Sequence, residues 1–328
     1  MTLLCATFVF TADAKAFARM RSWFDTTYQI RADVYGSPLI ISTTKTRLVG
    51  AVESIIWNGR EFIDSVDHGR ELQSAITYDY FGECLNPTQG GSEEDGKGST
   101  STSVLMSMHV SGNRLVSTSK MAYWRKANAP YSAPPGFGEG CSNLCGIPEN
   151  SKIPALCAPG GRYRRAQNQT DLSETELWQD ISIGWRGIPN VIDFKLSAVV
   201  PEDHRYASFE IPTGYMAHEF NHFFTYDPVS QKLERVTNQV PESPGIVGYL
   251  PLVFSTPDHQ YAMGIYGPQG PQFHPLTGSK DVPLFREPMY VRFDFNTGKY
   301  PTTKWSYFFD TIDTNLGRPN APGGHTYV

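Results

Sequence analysis

Between His68 and Asn86 the chain places His68, Arg70, Glu71, Gln73, Tyr78, Asp79, Tyr80, Glu83 and Asn86 within nineteen residues. These side chains suit work on a polyhydroxylated or acidic ligand. Arginine offers a planar fork of donors, and histidine exchanges a proton near neutral pH. If His68–Gln73 is extended, His68 and Arg70 share one face, and Glu71 and Gln73 share the other. Glu83 follows a glycine and serves as a general acid or base if loss of solvent raises its pKa. His68, Arg70, Tyr80 and Glu83 are therefore the expected catalytic residues. Gln73, Asp79, Asn86, Trp124, His218 and His222 are the expected substrate contacts. A His/Arg/Tyr set fits lyase chemistry at a uronate, whereas a Glu83/Asp79 pair fits glycoside hydrolysis. The plain alternative is structural: Arg70 pairs with Glu83 or Glu71, and Asn86-Pro87-Thr88 caps a turn.

The elements that must hold these residues read as strands. YQIRADV alternates up to a break at Gly36-Ser37-Pro38, and PLIISTT and RLVGAVESIIW follow. Asn58-Gly59 is a hairpin turn signal, because both central positions of that turn want positive φ. GREFIDSV is its return strand. TQGGSEEDGKGSTSTS (88–103) is acidic and of low complexity, and reads as a flexible exposed loop. VLMSMHVSGNRLVSTSKMAYW is a second hairpin. Beyond the Pro/Gly/Cys-rich stretch 127–170 come ETELWQDISIGW, NVIDFKLSAVV and YASFEIPTGYM, with Asp203-His204-Arg205 in a turn between the last two. HEFNHFFTYDP, IVGYLPLVFS, YAMGIYG, MYVRFDFNTG and TKWSYFFDTI complete the set. No convincing helix pattern follows residue 24. Period-two segments joined by turns over this length predict an all-β fold, a large antiparallel β-sandwich. A parallel β-helix would need a rung repeat that is absent.

Composition narrows the partners. Lys and Arg total 28 against 33 Asp and Glu, a net charge of -5, so nucleic acid, which needs a basic surface, is not expected. No segment reaches the roughly 18–20 apolar residues that span a membrane. Aromatics make up 13% of the chain, and aromatic planes pack against the C–H faces of sugar rings. The expected partner is a poly- or oligosaccharide, with no cofactor and no metal; the oligomeric state is open. His218-Glu219-Phe220-Asn221-His222 puts two imidazoles four apart, yet the zinc-protease spacing is one residue shorter.

Residues 1–16 fit a secretory signal: LLCATFVF followed by small-x-small sites at Ala12-Asp13-Ala14 and Ala14-Lys15-Ala16, without the leading positive charges. The alternative is an amphipathic opening helix to about Trp23. Removing 1–16 leaves residues 17–328 as one domain carrying Cys84, Cys141, Cys145 and Cys157. An even number suits two disulfides of open pairing in a secreted or periplasmic protein, with zinc as the rival. Asn168-Gln169-Thr170 is a glycosylation acceptor motif.

RLVGAVESIIWNGREFIDSVDHGRELQ resembles the opening of galactose-mutarotase-like proteins. The matching residues are Gly50-Ala51-Val52, the Asn58-Gly59 turn and Gly69-Arg70. TPDHQYAMGIYGPQ is similar to a later strand pair of such supersandwich domains. The resemblance implies a supersandwich over about residues 40–310 with a concave sheet facing a sugar. Aldose epimerases of that superfamily use a His acid and a Glu base; His218 and His222 lack the His-x-Tyr/Phe-Asn context, and no late Glu matches. The expectation is a secreted glycoside hydrolase or polysaccharide lyase acting around residues 67–86. A non-catalytic carbohydrate-binding protein and an epimerase are the alternatives.

Overall fold

The computed structural model describes residues 26–81, 83–130, 141–143, 162–163, 165–201, 204–237, 247–248, 250–265, 284–285, 289–295, 302–316 and 325–327. The expected signal segment and most of 127–170 lie outside them.

The chain opens with β1 (Thr27–Val34), β2 (Ser37–Thr44), β3 (Val52–Trp57) and the short β4 (Arg60–Glu61). These form an antiparallel four-stranded sheet in sequence order. Alternation decides which side is buried: Ile30 and Val34 of β1 face inward while their neighbours face solvent. The turn after β3 is as expected, with Asn58 at φ 48° and Gly59 at φ 77°. RLVGA is not strand. Val49 (φ 46°) and Gly50 (φ 102°) turn the chain there. A side chain at Gly50 would meet the Ser117 hydroxyl at 2.7 Å, so only glycine lets this turn pack down.

Next come β5 (Gln73–Tyr78), β6 (Tyr80–Phe81), β7 (Pro87–Thr88), β8 (Val104–Ser111) and β9 (Arg114–Tyr123). Then follow β10 (Cys141–Asn143), β11 (Arg162–Tyr163), β12 (Leu172–Trp185), β13 (Ile188–Val200) and β14 (His204–Met216). His204 thus begins a strand rather than sitting in a turn. β15 (His222–Asp227), β16 (Lys232–Arg235), β17 (Val247–Gly248), β18 (Leu252–Ser255) and β19 (Ala262–Ile265) come after it. The run IVGYLPLVFS is therefore two strands, not one. β20 (Leu284–Phe285), β21 (Met289–Phe295), β22 (Thr302–Leu316) and β23 (His325–Tyr327) end the order.

The main sheet runs β17-β21-β22-β14-β5-β7-β9-β12-β13-β23, with β20 on β22 and β8 on β9. A second four-stranded sheet, β16-β15-β18-β19, lies apart from it. Among the described residues the helical content is one 3-10 turn, Glu93–Asp95. The fold is all-β and antiparallel, in the manner of a sandwich. One apolar core joins three sheets: Ile30, Ile41 and Ile55 from the first, Leu72, Ile181, Met216 and Trp305 from the main sheet, Phe223 and Phe254 from the third. Fully burying each such side chain contributes about 1.5–3 kcal/mol. A second cluster, including Ile76, Tyr78, Leu177 and Phe209, lies farther along the main sheet.

Segment 88–103 corrects the expectation of a loose loop. Gln89, Ser92 and Ser103 are buried, and only its 93–94 and 97–100 portions are exposed. Its short polar side chains bond inward. Asp95 accepts the amides of Ser92 (2.7 Å) and Thr102 (2.8 Å), Ser101 donates to the Gly90 carbonyl (2.9 Å), and Ser103 donates to that of Thr88 (3.0 Å). Residues that look soluble in sequence here satisfy buried backbone groups.

Candidate functional site

The strands β5, β14 and β22 lie side by side, and their two faces differ in kind. One carries Leu72, Ile76, Met216, Phe209 and Trp305 into the cores. The other carries Gln73, Glu210, Thr213, Tyr215, Lys304 and Ser306. Strict alternation would put Glu210 and Thr213 on opposite faces. A bulge between them, at Ile211-Pro212, adds one residue and restores both to the polar face. Proline is tolerated there because a bulge frees its position from the ladder.

On that face Lys304 lies directly opposite Tyr215, its Nζ 6.0 Å from the ring centre. The Glu210 carboxylate accepts from Lys304 Nζ (3.0 Å) and from the Ser306 hydroxyl (2.7 Å). Burial alone would raise the pKa of Glu210, but Lys304, Ser306 and Thr213 together bring it below the ordinary value. Tyr215 is buried, which pushes its phenol up to about 12; the charges of Lys304, Glu210, Glu83 and Asp67 also act on it. Glu83 is driven the other way from Glu210. Partial loss of solvent raises it, although 38% of the side chain stays exposed, against the opposing pull of Arg125 and Lys304. Arg125 bridges Glu83 (3.2 Å) and Glu93.

Arg70 stands beside this group, held by Asp67 through Nε (3.1 Å) and Nη2 (2.7 Å), with Asp64 3.7 Å away. Its partners are thus neither Glu83 nor Glu71. Asp64 is raised by burial, with Arg70 the main opposing charge and His218 a lesser one. Trp124 lies against Gly69, where an added Cβ would meet the indole at 2.6 Å.

Other expected site residues lie elsewhere or play another part. Residues 68–71 form a turn, so His68 and Arg70 are not a co-facial pair. His68 is wholly buried, with Nδ1 2.9 Å from the Gly96 carbonyl and no partner for Nε2. Glu71 is equally buried; it shares a face with Gln73 over Gly90, and burial lifts its pKa to about 8 against the opposing backbone amides and the charge of Arg47. Gln73 accepts from the Gly90 amide (2.8 Å). Asn86 is buried and donates to the Ile76 carbonyl (2.7 Å). Asp79 (φ 53°) pairs with Nδ1 of His204 (2.9 Å), which stacks on Tyr78 at the far end of β14. The Tyr80 side chain lies outside the described residues. His218 is exposed and pairs with Glu219 (3.0 Å); His222 belongs to β15 and has other neighbours. The Asn168 amide donates to the carbonyls of Arg125 and Thr170, so the glycosylation motif is folded inward. Cys84 is fully buried and disulfide-bonded; the side chains of Cys141, Cys145 and Cys157 lie outside those described.

No family model matches the chain. No curated protein matches it either. Among solved structures, one titled "Crystal Structure Analysis of HI1317" is similar at 8% identity, covering 92% of this chain and 97% of that chain, with a TM-score of 0.33.

The structure brings Gln73, Glu83, Arg70 and Trp124, all expected from sequence, near Asp67, Arg125, Glu210, Tyr215 and Lys304, which were not among the expected site residues. Two signals for them were present. Pro212 inside a strand marks a bulge, and Lys304 is a charge set in the run TKWSYFF.

Proposed function

We propose that this protein is a carbohydrate-active enzyme that hydrolyses a neutral glycan on the polar face of β5, β14 and β22. The observation that carries the reading is a pair of carboxyls set differently around Lys304. Glu210 is bonded to Lys304 (3.0 Å) and Ser306 (2.7 Å) and its pKa is lowered, while that of Glu83, at 3.2 Å from Arg125 and partly open to solvent, is raised. Such a separation divides acid from base. Glu83, holding its proton, delivers it to the leaving glycosidic oxygen as the C–O bond breaks. Glu210, ionised, takes the proton of the incoming water or stabilises the positive anomeric carbon. Tyr215 stays a neutral phenol and donates to a sugar hydroxyl, and Trp124 offers a stacking plane.

Charge favours hydrolysis over elimination. Arg70, Arg125 and Lys304 each already face a carboxylate. Around them stand Asp64, Asp67, Glu93 and Glu210, four carboxylates against three cations even with Glu83 protonated, a balance that disfavours a uronate. The buried, disulfide-bonded Cys84 supports a site of action outside the reducing cytoplasm.

The test is to incubate the full chain with neutral and uronate-containing oligosaccharides and weigh the products. Addition of water to a neutral substrate is expected. Glu83→Gln and Glu210→Gln should each lose about 10²-fold or more in turnover. Unsaturated products would replace hydrolysis with a lyase, and binding without turnover would make the protein a lectin-like module. Neither binding nor turnover across the panel overturns the carbohydrate reading.

A further inference from the structure

The third sheet holds a cluster that the sugar reading does not use. His222 opens β15; Arg235 ends the adjacent β16 and lies opposite Phe224; Ser255 of β18 lies opposite His222 on the other side. Arg235 Nη2 is 3.4 Å from Nε2 of His222. The ring of His259 is 5.2 Å from that of His222 and 5.7 Å from that of Phe224. His259 is anchored: its Nδ1 is 2.9 Å from the hydroxyl of the buried Ser255, which donates onward to the Thr256 carbonyl (3.0 Å). That hydroxyl therefore accepts from Nδ1, and the Nε2 atom of His259 is left for a ligand.

Three groups that are or can become cationic thus meet on one patch. No salt bridge joins any of them to a carboxylate among the described residues. The acids nearest in sequence are engaged otherwise. Glu219 pairs with Arg60 (3.2 Å) and His218. Asp258 accepts from Thr256 (2.6 Å) and the Gln260 amide (3.1 Å), with the charge of Arg60 acting on it. Glu234 neighbours Arg235 on β16 and so points to the opposite face. Partial burial, then Arg235 and His259, hold the imidazole of His222 below its ordinary range. A metal cation is disfavoured by the guanidinium beside the ring nitrogen that would ligate it. An oxyanion relieves the repulsion and takes donors from all three.

We propose that His222, Arg235 and His259 form a binding site for a tetrahedral oxyanion, a phosphate or sulfate group, distinct from the polar face of the main sheet. Arg235 supplies the fixed charge. The two imidazoles add charge and N–H donors as pH falls, so binding strengthens toward acid.

The experiment follows the imidazole resonances of the full chain by NMR during titration with inorganic phosphate, inorganic sulfate and a hexose phosphate monoester. Millimolar phosphate should shift both His222 and His259. Apparent affinity for sulfate, a dianion throughout this range unlike phosphate, should rise about tenfold between pH 8 and pH 6, the effect of about one unit of linked pKa shift. Arg235→Gln should weaken binding about tenfold or more. His259→Asn keeps a residue that tolerates the positive φ of 57° at this position and should flatten the pH dependence without unfolding the sheet. Tighter binding of the ester than of free phosphate marks an esterified ligand, and equal binding marks the free ion; both support the site. Unmoved histidine resonances overturn it, as does binding that Arg235→Gln leaves unchanged. Neither result bears on glycan hydrolysis.

Discussion

The two faces of β5, β14 and β22 are built from the same backbone and solve opposite problems. On the apolar face Trp305 packs against Gly214 and Leu72 by shape, and its buried indole N–H has no acceptor among the described residues. On the polar face charges are held in pairs: Glu210 with Lys304 and Ser306, Arg70 with Asp67, and, nearer solvent, Glu83 with Arg125. An apolar face tolerates error in direction but not in volume. A polar face is the reverse, because a lost partner leaves a desolvated charge.

The contrast is broken most severely from the apolar side. Trp305→Ala should cost about 3–5 kcal/mol in urea unfolding, by emptying the core beneath Gly214. On the polar face Lys304→Met should cost about 2–4 kcal/mol, because Glu210 is left buried without its cation and part of each side chain remains exposed. Adding Glu210→Gln to that variant should recover most of the loss. A double variant no more stable than the single one would mean that the two faces do not differ in this way.

Glu71 offers a finer probe, since its carboxyl is wholly buried. Its folded pKa of about 8 lies above the ordinary value of 4.5. The folded state then holds more protons than the unfolded state between those values, and stability falls as pH rises through that window. The slope approaches about 1.4 kcal/mol per pH unit, and Glu71→Gln should remove it when unfolding is measured from pH 5 to 8. The smallest change in stability belongs to the rim, where half-buried Arg125 meets the exposed side chains of Glu83 and Glu93. Arg125→Gln should alter it by no more than about 1 kcal/mol. It should nevertheless move the alkaline limb of the pH–rate profile upward, because Glu83 loses the cation that lowers its pKa and keeps its proton to higher pH.

Strands were legible wherever alternation met a turn residue with one backbone preference. The hairpin at Asn58-Gly59 and the β8–β9 pair are as read, since positive φ and period two leave few alternatives. Illegible were the places where tertiary contact reverses local meaning. Segment 88–103 has the composition of a solvated loop and the hydrogen bonding of an interior. Glu210 reached the site only through a one-residue bulge, which shifts every later side chain of the strand by one face. His68 looked catalytic from its neighbours, yet its position under Gly91 leaves it wholly buried. The carboxyl of Glu83 was legible in kind, because loss of solvent acts in one direction.

The inward bonding of 88–103 also decides where this chain can be cut or extended. A protease must draw several residues of backbone out of the surface, and here that means breaking the contacts of Asp95, Ser101 and Ser103 together. Cleavage or an inserted tag should be tolerated only at the exposed tip, 97–100, although the whole segment has the sequence of an easy target.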